Sequence, residues 1–386
     1  MQLVAYGAQD VYLTGNPQIT LFKTVFRKST NFSVESIQQD IRGYKNYRER
    51  IITPIAHDGD LITDIYIEID EHGSCGDEGR PNAGSAYFGE IELEIGGDIV
   101  DTHYGHWLET LAQLKEDNPY GKISSDAATR TGFTKFQKMA CMGGVSGTPN
   151  IKREKMFIPL KFWFCGNNGQ ALPLVSLQYH EVAINFSLNP QSATTKKTGT
   201  YTFPEFKVWV DFVYLDTDER RRFASNDHEY LIEQLQFQEF GGGTNHDLDL
   251  NHPVKELIWI GKPPSEDNYS STHGPTTPVT LIGGEYTIEL NNQSRFKKRD
   301  TKYFTRTQIQ EYHDGFGGVN HSNSIAIYSF ALNPKEHQPS GTCNFSRINT
   351  AKLIHNNPET NGLYLYAINY NILRISKGMA NVVYAN

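Results

Sequence analysis

Cysteine and methionine are scarce, four and five residues in a chain of 386. Cys75, Cys141, Cys165 and Cys343 stand far apart and form no C-x-x-C pair. That excludes a disulfide framework and a sequence-local zinc site, and points to reduced, packed thiols in a chain that folds in the cytosol. No window reaches the ~18 apolar residues of a membrane-spanning helix. The opening MQLVAYGAQDVYLTG has no basic region followed by an apolar core, so no secretory leader is expected. Positive charge is short too: 36 Lys and Arg stand against 44 Asp and Glu, a net charge of -8. A protein that coats nucleic acid needs the opposite sign, so direct genome binding is not expected.

Aromatic side chains, by contrast, are abundant, with 21 Tyr and 21 Phe set in runs that alternate apolar and polar residues. In EIELEI (90–95), Ile91, Leu93 and Ile95 face one way and three Glu the other. VAINFSL (182–188), LITDIYIEI (61–69) and VWVDFVYL (208–215) repeat the pattern, and LYLYAINYNILRI (363–375) extends it into a long strand. Such alternation, rich in aromatic and β-branched residues, reads as half-buried antiparallel strands. Only HWLETLAQLKED (106–117) and DTDERRRFA (216–224) look helical. Runs rich in Gly, Pro, Asn and Ser at 73–86, 142–150, 189–200, 241–252, 262–278 and 314–323 read as loops. Many short strands joined by loops predict an all-β sandwich or barrel, and 386 residues are too many for one ordinary core.

A weak internal repeat also suggests two domains. Shifted by 166 residues, FWFCGNNGQALPLVSLQYHEV (162–182) falls on YSFALNPKEHQPSGTCNFSRI (328–348), matching Phe164 with Phe330, Asn167 with Asn333 and Pro173 with Pro339. The shift bears on PSGTCNFSRI (339–348), where Ser340, Thr342, Cys343 and Ser346 could each be a nucleophile beside Arg347. It sets Cys343 on Leu177 and Phe345 on Tyr179. Cys343 is therefore expected to be a small buried packing residue, and 343–348 a strand. Arg347 keeps two readings, a carboxylate's partner or a contact between subunits.

Motifs for chemistry fail on spacing. GKPPS (261–265), GGVSGTP (143–149) and GGG (241–243) are not phosphate-binding loops. His103 and His106 are three apart, which suits one helical face, but Glu109 is the one adjacent carboxylate and no third ligand is near. DLDLNH (247–252) begins like a calcium loop, yet has His252 where glycine is required and Ile258 where the closing Glu belongs. There is no G-x-S-x-G elbow and no Cys-His signature. Glu90, Glu92 and Glu94 share one strand face and read as solvated. RFKKRDTKYFTR (295–306) interleaves six basic residues with three aromatics. It suits a single-strand nucleic-acid platform or a solvated face that meets an acidic neighbour, and the net charge favours the second. Of the N-x-S/T sequons at Asn31, Asn185, Asn268, Asn292 and Asn344, Asn268 lies in a loop and is the candidate glycosylation position. No catalytic, cofactor-binding or metal residue is expected.

Longer stretches say more. LVAYGAQDVYLTGNPQITLFKTVFRKSTNFSVESI (3–37), GDLITDIYIEI (59–69), IGGDIVDTHYGHWLE (95–109) and IPLKFWFCGNNGQALPLVSLQYHEVAI (158–184) form the first part of a pattern. LDTDERRRFASNDHEYLIEQLQ (215–236), NHPVKELIWI (251–260), FALNPKEHQPSGTCNFSRI (330–348) and YAINYNILRISKGMANVVYAN (366–386) complete it. In this order and across the whole chain, it closely resembles the major capsid proteins of nucleocytoplasmic large DNA viruses of eukaryotes, including those of algae and amoebae. The resemblance implies a double jelly roll, two eight-stranded antiparallel sandwiches in tandem with few short helices. It implies a homotrimer whose six rolls form a pseudo-hexagonal capsomer in an icosahedral shell, and no catalytic residue or cofactor. Implied partners are neighbouring capsomers and minor capsid and penton proteins, with an internal membrane nearby but not spanned. The implied location is the virion, after synthesis and assembly in the host cytoplasm.

The expected divisions are an N-terminal arm at 1–27, a first roll at 28–214, a linker at 215–224 and a second roll at 225–386. Arg295, Lys297, Lys298 and Arg299 are candidate intersubunit contacts. Loops 73–86 and 262–278 are short for the family, so outer-surface functions transfer least. The alternative is a glycan-binding or glycan-cleaving β-sandwich, which requires a cleft with two facing carboxylates and a sugar-stacking aromatic.

Overall fold

The computed structural model describes residues 7–43, 47, 49–71, 81–117, 133–145, 155–190, 203–264, 275–318, 323–359 and 362–384. Nine strands come first: β1 (Phe32–Gln39), β2 (Arg50–Ile55), β3 (Leu61–Asp70), β4 (Phe88–Ile95), β5 (Asp98–Tyr104), β6 (Lys155–Pro159), β7 (Leu172–Pro173), β8 (Val182–Leu188) and β9 (Glu205–Leu215). They pair in the orders β1-β9-β3-β6, with β7 on β3, and β2-β8-β4-β5. The sheets form because alternate residues are apolar. Ile91, Leu93 and Ile95 of β4 meet Ile65, Ile67, Val208 and Val210 in one buried core. Asn185 and Glu94 lie on the other face, where the amide donates to the carboxylate at 2.7 Å.

Eleven strands follow: β10 (His228–Phe240), β11 (Gly243–Asp247), β12 (Pro253–Gly261), β13 (Glu285–Leu290), β14 (Gln293–Ser294), β15 (Arg299–Asp300), β16 (Ile325–Ser329), β17 (Cys343–Asn344), β18 (Ala351–Glu359), β19 (Leu363–Ser376) and β20 (Met379–Val382). Their orders are β10-β19-β12-β16, with β17 on β12 and β20 on β19, and β11-β18-β13-β14, with β15 on β13. The second pair of sheets repeats the strand order of the first. The molecule is a double jelly roll, all antiparallel, as the strand patterns and the resemblance led one to expect.

Turn chemistry agrees with the topology. β4 and β5 are joined through Gly96 and Gly97, with φ of 65° and 92°. β19 and β20 are joined through Lys377 and Gly378, with φ of 53° and 81°. Two successive left-handed residues give a turn whose twist matches the flanking strands.

Three local expectations need correction. The repeat is real in topology, but its offset is not 166 residues. β7 pairs with β3 and runs into the 3-10 turn Leu174–Ser176, whereas β17 pairs with β12 and runs into Phe345–Arg347. Leu172 and Cys343 therefore occupy equivalent places, and LPLVSL corresponds to CNFSRI. Second, 343–348 is not a strand: two residues pair and the chain then turns. Third, 241–252 is not all loop, because it holds β11, whose GTNHD buries only His246 and so gives no alternation to read.

The two rolls share apolar contacts. The helix Gly105–Lys115 is buried on two faces. Leu108 and Ala112 enter the first roll's core, while Trp107, Leu111 and Leu114 pack on Ile258, Ile260, Ile325, Ile327 and Tyr366 of the second. Conversely, Ile232, Leu373, Ile375 and Ala380 of the second roll join the first roll's core. A second helix, Thr217–Ser225, runs between β9 and β10. Asp216 caps it by accepting from the Glu219 amide at 2.9 Å, and Arg220 pairs with Asp60 at 2.8 Å.

Candidate assembly interface

The seam between the rolls is built from the helix Gly105–Lys115 outward. Glu109, wholly buried, accepts from Gln113 Nε2 at 2.6 Å and from the amides of Gly143 and Gly144 at 3.0 and 2.8 Å. Burial pushes its carboxyl above the usual range, while these hydrogen bonds pull the other way. One residue in from the helix start, the His106 ring lies 2.6 Å from the Tyr366 hydroxyl and stacks on Tyr104. Burial lowers this imidazole to about 3. Across the seam Asn82 donates to Thr277 at 2.9 Å, and Ser85 and Thr276 share a hydrogen bond of 2.8 Å.

His103 and His106 do not share a helical face. His103 lies in β5, pairs with Asp101 at 3.1 Å and stacks on Phe162, whereas His106 belongs to the helix. Among the described residues no group of three or more His, Cys, Asp or Glu could hold a metal ion. Cys343 is half-buried rather than buried, and burial raises its thiol. Ser346 Oγ accepts from the His252 amide at 2.8 Å and Ser340 Oγ from the Asn333 amide at 2.9 Å, so both hydroxyls hold the backbone. Arg347 is exposed.

The outer strand face of Glu90, Glu92 and Glu94 is partly paired, with Arg50 at 2.6 Å from Glu92 and 3.9 Å from Glu94. Sequon Asn185 is buried and Asn344 accepts from the Ser346 amide at 3.1 Å, while Asn268 lies outside the described residues.

Two surfaces stand out as unsatisfied in a single chain. From Gly7 to Asn31 every residue but Asp10 is exposed, and the segment's sole helix is one turn, Val11–Thr14. Its large apolar side chains are bare: Leu13 is 90% exposed and Phe22 98%, with Tyr12, Ile19, Leu21, Val25 and Phe26 close behind. Bare apolar surface of this density marks contact with something else. The other surface is basic. Arg295, Lys297, Lys298 and Arg299 are all exposed, on the broken edge strand formed by β14 and β15. The interleaved aromatics do not make a stacking platform. Phe304 is fully buried, Phe296 packs against it, and Arg299 lies 4.2 Å over the Tyr303 ring.

A cleft between the rolls brings Asp101 and Glu233 together. Neither is poised as a glycosidase carboxylate, because His103 holds Asp101 and Lys255 holds Glu233 at 2.5 Å.

Comparison with known proteins agrees with this architecture. Residues 20–216 match the family described as major capsid protein N-terminus, and residues 219–381 match the large eukaryotic DNA virus major capsid protein family. A major capsid protein of Pyramimonas orientalis virus is 40% identical over 416 positions, covering 100% of this chain and 99% of that protein. One from Paramecium bursaria Chlorella virus 1 is 38% identical over 451 positions, with 100% and 99% covered. The quasi-atomic capsid structure of the latter virus superimposes with a TM-score of 0.78 at 33% identity, covering 95% of this chain and 100% of that one. The Faustovirus major capsid protein shares the fold, with a TM-score of 0.68 at 12% identity over 96% and 94% of the two chains. The chain belongs to the major capsid protein family of large eukaryotic DNA viruses.

Proposed function

We propose that this chain builds the shell as a homotrimer, six jelly rolls forming one pseudo-hexagonal capsomer that packs against its neighbours. The observation that carries this is the pair of rolls locked by a shared apolar seam, with an apolar segment at 7–31 left bare in the single chain. A rigid pair of sandwiches presents four upright sheet walls at one angle, and closing three copies into a ring covers side surfaces as obligate oligomers do. Its role is structural rather than catalytic.

The same reading divides the chain into an arm at 1–27, rolls at 28–214 and 225–386, and a linker at 215–224. The arm lies on the inner side and ties trimers to minor capsid proteins or to the layer above an internal membrane that the chain does not cross. No helix among the described residues is long and apolar enough to cross a membrane. Minor capsid and penton proteins are the further partners, and assembly takes place in the host cytoplasm.

Light scattering on the purified chain tests the core of this proposal: a stable trimer is expected, and a monomer at micromolar concentration would sink it. Deleting residues 1–25 should leave the trimer intact and impair shell assembly. Normal shells from the truncated chain would refute the role given to the arm.

A further inference from the structure

The cleft between the rolls has a volume of about 300 Å³ and is lined from both sides. Lys115 reaches it from the end of the helix Gly105–Lys115 and Lys161 from the segment after β6, both in the first roll. Lys335 and His337 reach it from the loop after β16 of the second roll. Two carboxylates line it as well, but both are already engaged. Glu233 holds Lys255 at 2.5 Å, and Asp101 holds His103 at 3.1 Å and the Leu235 amide at 3.0 Å. Among the described residues neither Lys115 nor Lys161 has a carboxylate within ion-pair distance. Lys335 is paired with Asp314 at 2.7 Å, but that carboxylate is 72% exposed, and such surface pairs exchange readily.

Lys115 and Lys161 also face one another's charge. Lys115 is exposed at the helix end, and the charges that act on it are those of Glu233, Lys255, Lys161 and Glu256. Lys115, Lys161 and Lys335 together bring more positive charge to the cleft than Glu233, already shared with Lys255, offsets, and an arriving anion relieves that excess. The aromatic residues of the walls, Trp107, Phe162 and Trp163, are buried. The ligand is therefore read by charge and hydrogen bonding rather than by stacking.

We infer that this cleft is a binding site for a small oligophosphate anion, which bridges Lys115 and Lys161 of one roll to Lys335 and His337 of the other. A compact chain of two or three phosphates fits the volume, carries enough charge to meet the three ammonium groups and can accept a hydrogen bond from the His337 ring. Because the ligand binds across the rolls, it stabilises their mutual angle by mass action. The site stands independently of the oligomeric state proposed above.

Calorimetric titration of the full chain with inorganic tripolyphosphate, at ionic strength held constant with sodium chloride, tests this. One saturable site per chain is expected, with affinity falling about tenfold or more in Lys115→Gln and in Lys161→Gln. The control Lys297→Gln/Lys298→Gln, on the distant basic strand edge, should leave binding unchanged. ATP serves to separate sources: equal affinity assigns recognition to the phosphates alone, and tighter binding adds a contribution from the nucleoside. Should Lys115→Gln fail to fold by circular dichroism, the exposed Lys335→Gln carries the test, with a severalfold loss expected. Absence of saturable binding overturns the inference. So does binding that survives loss of the cleft lysines, or that weakens equally in the control.

Discussion

At the scale of single residues, buried imidazoles make this a protein sensitive to acid. His246 on β11 and His355 on β18 meet with their Nε2 atoms 3.2 Å apart. One must donate and the other accept, so there is no place for a second proton at that contact. Phe240 lies against His246, and Tyr286 stacks on His355. Burial lowers both rings, and the charge of His355 would lower His246 further. A histidine held below its ordinary value of about 6.5 contributes stability that is complete above that value and is lost as pH falls beneath it. His106 acts in the same direction. The urea midpoint is thus expected to be flat above about pH 7 and to drop from about 6.5 downward. His246→Gln should reduce that drop, and an unchanged pH profile in the variant would count against the pair as its source.

Glu109 works by hydrogen bonding instead. Removing it in Glu109→Ala strands the Gly143 and Gly144 amides and the Gln113 side chain in a dry site, at a cost of about 3 kcal/mol or more. Glu109→Gln keeps one carbonyl acceptor and should lose less, by thermal denaturation of the two variants side by side.

At the scale of elements, β19 explains both what could be read in the sequence and what could not. Alternation in LYLYAINYNILRI announces a strand, and a strand is there. The pattern does not announce that both of its faces are buried. Leu363, Leu365 and Ala367 face the second roll's interior, Tyr366 and Ile368 meet the helix Gly105–Lys115, and Leu373 and Ile375 reach into the first roll. The partner for its outer face comes from some 250 residues earlier in the chain, beyond the reach of any local period. The helix did carry a signal, since Trp107, Leu111 and Leu114 follow one helical face and Leu108 and Ala112 another. Two apolar faces on one helix mean two partners. The repeat was legible in kind but not in offset, because proline and asparagine matches in loops misled where strand pairing decides. The basic edge was legible as charge, but the inward turn of Phe296 and Phe304 was not.

A test belongs to this scale. Leu111→Ala opens a cavity in the seam, not in either sandwich, and should cost about 2–5 kcal/mol. If the seam couples the rolls, calorimetry will show one transition shifted whole. Splitting into two transitions, with only one displaced, would mean the rolls melt separately.

For the whole molecule, net charge and surface pattern matter more than any single contact. A chain with a charge of -8 repels its copies mildly, which favours solubility of free subunits. A local basic edge opposite acidic strand faces can then set orientation between neighbours through contacts weak enough to be reversed. Neutralising Arg295, Lys297, Lys298 and Arg299 together is expected to weaken shell assembly, read by particle yield and its salt dependence, while trimers survive gel filtration. Loss of the trimer instead would place this edge inside the capsomer.

The return of the chain through β20 has a consequence for the order of events during synthesis. After β19, the turn at Lys377 and Gly378 brings Ala380 into the first roll's core. The Ala380 amide donates to His180 Nδ1 at 3.2 Å, and Gly378 accepts from the Tyr179 amide at 3.0 Å. A ribosome delivers residues 179 and 180 some 200 positions before their partners. The first sandwich must therefore wait, with part of its wall uncovered, until the second is almost wholly made. A chain that stops short of β20 leaves that part of the first roll's core, and the backbone at Tyr179 and His180, without its cover.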